Sequence, residues 1–353
     1  MGKLPMLPDV SIIIPTRNEA RYIEGCLNAV LNQDYPGQME ILIADGMSTD
    51  DTREIVQRLT IKRSNIQFIN NHQKIVPTAL NLALRHARGD IIIRVDGHCE
   101  ISPDYISTCV EHLQGNDIAG VGGPIETIGE DHLSQIIALA MSSHFGVGGS
   151  AFRTVKDRAM LTDSVPFPAY TREIIVKAGL FDEELVRNQD DEYNYRIRKM
   201  GGKILLTPDI HSRYYSRASF SELWSQYYQY GFWKVRVLQK HPGQMHIRQF
   251  VPPAFVIGLI ISTFLSFILL FGRYLLAIVL GSYLLANLSA SLWTASRKGW
   301  RYFHMLPLAY AIMHVGYGLG FLVGLVRFIS RWSDKDGKVP SLEENKIQPE
   351  SDG

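Results

Sequence analysis

Cysteine is scarce. Cys26, Cys99 and Cys109 are the three in 353 residues, too few and too odd in number for a disulfide framework, and no Cys-x-x-Cys or Cys/His spacing marks a structural zinc site. A reducing compartment fits. An excess of either charge is also missing: 36 Lys and Arg stand against 35 Asp and Glu, a net charge of +1. That balance excludes a wholly basic nucleic-acid binder and an acidic disordered chain. Residues 1–9 carry Pro5 and Pro8 but no apolar signal-peptide core, so the polar part of the chain is expected in the cytosol.

What is present is unevenly distributed. From residue 10 to about 125, short β-branched runs (Val10–Ile14, Glu40–Ala44, Ile66–Asn70, Asp90–Val95, Ile118–Gly122) alternate with helix-period segments (Arg21–Leu31, Thr52–Leu59, Thr78–Ala87). This is a βαβ pattern and predicts a mostly parallel sheet, with chemistry beyond the carboxyl ends of its strands. Ser134–Phe145, Arg172–Ala178 and Glu192–Met200 read as helices, and Phe152–Ser164 as a mobile loop.

Most of the apolar excess lies after residue 250. Spans at 251–272, 274–294 and 305–329 are each long enough to cross a bilayer core of roughly 30 Å. The first two have only Gly272 and Arg273 between them, which predicts a tight hairpin. The loop Ala295–His304 carries Arg297, Lys298 and Arg301, which places it, with the polar half of the chain, on the cytoplasmic side. Gly316, Gly320 and Gly324 form a small-residue stripe that admits close approach of another helix. Three crossings would leave the tail outside, whereas Arg327 and Arg331 favour inside; the sequence leaves both open.

The strand ends carry the candidate chemistry. Asp45 stands where a carboxylate can accept hydrogen bonds from a base or a ribose, followed by Ser48, Thr49 and Asp50, which suit a turn and a helix cap. Asp96 and His98, two apart in extended chain, can supply the one or two protein ligands that a cation on a diphosphate needs. Asp190, Asp191 and Glu192 precede a helix, where they can serve as plain capping residues or provide a general base. Phe220–Lys240 interleaves seven aromatics with Lys234, Arg236 and Lys240; as a helix it would lie at the membrane surface, and its rings and cations also suit sugars and phosphate.

The segments VSIIIPTRNE, IADGMSTDDT, IIRVDGHCE, AGLFDEELVRNQDDEYNYRIRKMGG and QYGFW occur in that order. The ordered set resembles family-2 inverting glycosyltransferases, in particular their membrane-anchored succinoglycan-type glucosyltransferase branch. The resemblance implies a GT-A nucleotide-diphospho-sugar transferase fold, α/β with a Rossmann-like mixed sheet, over 1–219, then an interface helix segment at 220–250, transmembrane helices at 251–330 and a polar tail at 331–353. It implies a nucleotide-binding loop with Pro15, Thr16, Glu19, Asp45 and Asp96, and a metal pair at Asp96 and His98 for Mn²⁺ or Mg²⁺. His98 replaces the usual second aspartate. Asp190 takes the place of the catalytic base, with Gln189 where Glu is common. Asp191, Gln229, Trp233, Lys234 and Arg236 are candidates for the acceptor or the diphosphate, with Phe232 where an Arg is usual. The implied reaction moves a sugar, glucose or a related hexose, from a UDP-sugar to a lipid-linked saccharide in exopolysaccharide or cell-envelope glycan synthesis, at the cytoplasmic face of the cell membrane. A processive synthase and a catalytically silent nucleotide-sugar scaffold are the alternatives.

Overall fold

A computed structural model of the chain describes residues 7–61, 63–115, 117–335 and 337–342. The expected tail beyond 342 lies outside the described residues. In chain order the strands and α-helices are β1 (Val10–Thr16), α1 (Ile23–Leu31), β2 (Met39–Asp45), α2 (Thr52–Thr60), β3 (Ile66–Asn70), α3 (Val76–His86), β4 (Ile91–Arg94), β5 (Cys99–Ile101), α4 (Tyr105–Gly115), β6 (Gly120–Gly122), β7 (Ile125–Ile128), α5 (His132–Met141), α6 (His144–Val147), α7 (Ala151–Thr154), β8 (Met160–Leu161), β9 (Ala169–Thr171), α8 (Arg172–Ala178), α9 (Gln189–Lys199), β10 (Ile204–Leu206), β11 (Ser212–Tyr215), α10 (Phe220–Lys240), α11 (Val251–Ser266), α12 (Leu270–Lys298) and α13 (Leu306–Arg327). The described residues divide into two units, one drawn from 7–126, 155–214 and 337–342, the other from 127–154 and 215–335.

The first unit is built on an eight-stranded sheet in the order β3-β2-β1-β4-β9-β6-β10-β8. Ile12, Ile14, Ile41, Ile43 and Ile93 are fully buried, as expected of parallel strands covered on both faces. Each such side chain contributes about 1.5–3 kcal/mol by leaving water. β1 pairs in parallel with both β2 and β4, Thr16 opposite Asp45 and Ile13 opposite Arg94. β9 runs antiparallel to β4 and β6, which makes the sheet mixed. The strand order reverses beside β1, and ligands of open α/β sheets bind at such a switch point. A smaller antiparallel pair joins β5 to β11.

Two local expectations are corrected. Phe152–Ser164 is not a free loop throughout: Met160–Leu161 closes the sheet edge against Leu205 and Leu206, because this pair of apolar residues matches the register of β10. The carboxylates at 190–192 do not precede a helix but form the first turn of α9, which begins at Gln189.

In the second unit three helical segments are long and apolar enough to cross a membrane, 247–266, 270–298 and 306–327, and on this the chain is read as a membrane protein. The hairpin turn falls at 267–269 rather than at Gly272 and Arg273, which lie inside α12; a Cβ at Gly272 would stand 2.2 Å from the carbonyl carbon of Leu265, so glycine is needed there for close packing rather than for the turn. α12 runs on to Lys298, so Arg297 and Lys298 close its last turn instead of lying in a loop. The glycine stripe of α13 has α10 as its partner: a Cβ at Gly320 would come within 2.0 Å of the Tyr228 carbonyl, and one at Gly231 within 2.0 Å of the Tyr317 carbonyl. Backbone meets backbone there. α10 does not present its cations outward. Lys234, Arg236 and Lys240 are buried, Arg236 completely.

Candidate functional site

The site is assembled from the loops that follow β1, β2 and β4 and from the start of α9, all within the first unit. Asn18 and Met47 both take left-handed backbone, at φ 55°, a conformation that costs a non-glycine residue free energy and clusters at functional loops. Polar contacts hold them: Asn18 N donates to Ser48 Oγ at 2.9 Å, Thr49 N to Asn18 Oδ1 at 2.9 Å, and Glu19 N to Thr52 Oγ1 at 2.8 Å. Ser48, Thr49 and Asp50 are therefore braces between two loops as well as turn formers.

Asp45 closes β2 with its side chain fully covered. It accepts from Ser48 N at 3.0 Å, from Ser48 Oγ at 2.5 Å and from Arg53 Nη1 at 3.0 Å. A carboxylate offers about four acceptor positions, so one is left beyond these three. Pro15 lies within β1, and Thr16 at its end has a buried hydroxyl with no hydrogen-bond partner among the described residues. A Cβ at Gly97 would meet Thr16 Cγ2 at 3.1 Å and Glu19 Cγ at 3.2 Å, so the turn carrying Asp96 and His98 approaches the 16–19 loop as closely as glycine allows.

Asp96 and Asp190 are brought together by a residue the sequence reading passed over. Arg94 donates through Nε to Asp96 Oδ1 at 2.8 Å and through Nη2 to Asp96 Oδ2 at 3.1 Å, and through Nη1 to Asp190. Its signal was present: Arg94 and Asp96 are two apart, hence on one side of extended chain. Burial opposes the Arg94 charge, but Asp190 and Asp96 more than offset this and hold it above its ordinary value. For Asp190, withdrawal from water raises the pKa, Arg94 lowers it and Asp96 raises it again, and the net direction is upward. Asn188, left-handed at φ 62°, starts α9 without a side-chain cap. Asp190 is thus directed to an arginine 96 positions away rather than to its own helix end. Asp191 is half-buried beside it, and Glu192 pairs with Arg196 at 2.8 Å.

His98 faces Glu19, with Nδ1 2.9 Å from Oε1, and its ring meets Tyr214 edge-on at 5.1 Å. When Nδ1 carries the proton toward Glu19, Nε2 is the atom that could ligate a metal, the arrangement usual for metal-bound histidine. No group of three or more His, Cys, Asp or Glu side chains that could hold a metal occurs among the described residues. A cation held by Asp96 and His98 would have to draw the rest of its shell from phosphate and water, and would share the Asp96 carboxylate with Arg94, which occupies both of its oxygens.

The remaining candidates lie on α10, in the second unit. Gln229 Nε2 donates to Ser225 Oγ at 3.3 Å. Trp233 packs with Phe232 and Phe328, ring centroids 5.5 and 5.8 Å away. Arg236 donates to Gln239 Oε1 at 2.6 Å and to the Arg331 carbonyl at 3.3 Å, and pairs with Asp334 at 3.7 Å. Its guanidinium is occupied within this unit. Another feature the sequence did not reveal is a buried clamp by Asn81, which donates to the Phe181 carbonyl at 2.9 Å and accepts from Phe181 N at 2.8 Å; it steadies the segment that leads to α9.

Comparison with known proteins agrees with this architecture. The model of glycosyl transferase family 2 matches residues 11–175. A dolichyl N-acetyl-alpha-D-glucosaminyl phosphate 3-beta-D-2,3-diacetamido-2,3-dideoxy-beta-D-glucuronosyltransferase of Methanococcus voltae is 31% identical over 331 residues, 90% of this chain and 97% of its own. The succinoglycan biosynthesis protein ExoA of Rhizobium meliloti is 29% identical over 322 residues, 91% of this chain and 96% of its own. A mannosyltransferase of Pyrobaculum calidifontis, solved with GDP-Man and Mn²⁺, shares the fold at a TM-score of 0.59 and 18% identity, over 89% of this chain and 88% of its own. With the ordered motifs, the mixed sheet and a relative aligned over nearly its whole length, the chain belongs to glycosyl transferase family 2.

Proposed function

We propose that this protein transfers a single sugar, glucose or a related hexose, from a UDP-sugar to a hydroxyl of a lipid-linked saccharide at the cytoplasmic face of the cell membrane, with inversion at the anomeric carbon. The observation that carries the reading is Arg94, which ties the carboxylate expected at the diphosphate, Asp96, to the carboxylate expected at the acceptor, Asp190. The lipid-linked acceptor is favoured by the activity for which the Methanococcus relative is named, and the exopolysaccharide setting by that of the Rhizobium relative.

The donor's base and ribose would lie against Pro15, Thr16, Glu19 and Asp45, where the Thr16 hydroxyl awaits a partner. Asp96 and His98 would hold a divalent cation, Mn²⁺ or Mg²⁺; when bound, it supplies positive charge to the departing diphosphate. Asp190, ionised and held by Arg94, takes the proton of the acceptor hydroxyl as that oxygen attacks the sugar. Inversion follows from a single displacement. Asp191, Gln229, Trp233 and Lys234 remain acceptor candidates.

The test is to replace Asp190 by Asn and measure both transfer and donor affinity. Transfer should fall by about 10²- to 10⁴-fold, with nucleotide-sugar binding largely retained. An active Asn variant would remove Asp190 from the role of base. Membranes containing the native protein, given a panel of nucleotide sugars with Mn²⁺ or Mg²⁺, should yield a lipid-linked product one sugar longer, identified by mass.

A further inference from the structure

The described tail does not stay with the apolar helices. Residues 337–342 belong to the first unit: Lys338 N donates to Asp182 Oδ1 at 2.9 Å, Glu183 N to the Lys338 carbonyl at 2.9 Å, and Leu180 N to the Pro340 carbonyl at 3.1 Å. A folded polar unit cannot be divided by a bilayer, because its unpaired backbone and charged groups have no place in hydrocarbon. The chain between Tyr214 and Gly337 therefore crosses the membrane an even number of times. Three candidate spans cannot all be crossings.

We infer that α13 does not cross: α11 and α12 enter and return as a hairpin, while α13 lies with α10 at the membrane surface, so that the 299–305 connection and the tail face the same side as the sheet-bearing unit. α13 meets the hairpin at its base. Tyr283 OH lies 3.1 Å from His314 Nδ1, Asn287 Nδ2 donates to the Pro307 carbonyl at 3.0 Å, and Thr294 Oγ1 lies 2.9 Å from Tyr310 OH. On the α11 side, a Cβ at Gly318 would fall 2.7 Å from the Pro252 carbonyl, and Phe250 stacks edge-on to Phe321 at 5.9 Å.

Beyond that base the hairpin projects, with Phe264 64%, Phe267 82%, Phe271 66% and Ile278 66% exposed. Side chains of this kind require lipid around them. α13 instead runs in the same direction as α10, Gly316 facing Trp224, Gly320 facing Tyr228 and Gly324 facing Phe232. α10 carries Glu222 in its first turn and Lys234, Arg236 and Lys240 packed inside its unit, and helices with several ionisable residues are rare at the hydrocarbon centre. Basic residues mark both ends of α13, with Arg297, Lys298 and Arg301 before it, Arg327 closing it and Arg331 after it, which assigns both flanks to one side.

The native cysteines are all buried, so single new cysteines can report sidedness. Ile61→Cys, at a position 83% exposed in the first unit, Lys298→Cys, and a cysteine appended after Gly353 are placed one at a time in the full chain. Sealed membrane vesicles of one orientation are treated with a membrane-impermeant maleimide before and after lysis. All three should respond together. A tail reacting from the side opposite to Ile61→Cys would mean three crossings and overturn the inference. Lys298→Cys reacting from the opposite side while the tail matches Ile61→Cys would mean that α13 crosses, and would overturn it equally. Protease-cleavable tags at the same three places read the same sides without cysteine chemistry, and the result does not depend on which donor the enzyme takes.

Discussion

Arg94 is the residue on which the site's arrangement depends. Charge-assisted hydrogen bonds of this kind contribute roughly 1.5–3 kcal/mol each, so Arg94→Met should lower kcat by about 10- to 100-fold while donor affinity changes far less; Arg94→Lys, which keeps the charge but loses the fork, should fall between. Steady-state kinetics beside equilibrium donor binding checks this. The pH profile gives an independent reading. As the proposed base Asp190 would work ionised; its pKa is raised above the ordinary carboxylate value by withdrawal from water, so activity should be lost as pH falls through it. The acid limb should therefore sit above the ordinary aspartate range, and Arg94→Met, by removing the group that lowers that pKa, should move the limb to higher pH. Chelation of divalent cations should abolish transfer, with activity returning on Mn²⁺ at least as well as on Mg²⁺, since imidazole favours Mn²⁺ somewhat over Mg²⁺; in His98→Asp the order should move toward Mg²⁺. Asp45 and Asp96 were visible in the sequence because carboxylates directly after apolar runs stand out, and Asp190 because three carboxylates stand side by side before a helix-compatible segment. Arg94 was not, because an arginine at a strand end becomes informative only when its partner, here Asp190 far along the chain, is known.

At the scale of elements, helix periodicity placed α1, α2, α3, α8 and α10 to within a few residues, and β-branched runs placed β1 to β4. Short elements escaped: β8 has two residues and exists through pairing with β10, a contact that local sequence does not encode. The α10–α13 seam gives a direct test of close packing. Gly320→Ala places a methyl against the Tyr228 carbonyl and should destabilise the protein by about 1–3 kcal/mol, read as a lower Tm in detergent. Gly281→Ala, where a Cβ meets nothing within 4 Å, should be neutral or slightly stabilising, as alanine is in an exposed helix position. The tail strap is testable as well: Asp182→Ala removes the acceptor of Lys338 N and should make residues near 337–342 more sensitive to protease, with the sheet unit intact.

For the whole molecule, the buried thiols of Cys26, Cys99 and Cys109 are pushed upward in pKa by burial, so the native enzyme should resist maleimide until it unfolds; rapid labelling of the folded protein would contradict the placement of all three. One added sugar per acceptor, rather than a polymer, is the expected product. Sequence by itself determined the parallel βα core, the family resemblance, the membrane-length helices and which strand ends bear carboxylates, because hydrophobic periodicity and local turn chemistry are properties of neighbouring residues. Tertiary structure decided what depends on residues far apart in the chain: the arginine that joins Asp96 to Asp190, the helix that fills the glycine stripe, the burial of the α10 cations, and the return of residues 337–342 to the sheet unit. That last contact constrains how often the chain crosses the membrane, because both ends of the apolar region belong to one folded body and a bilayer cannot pass through it.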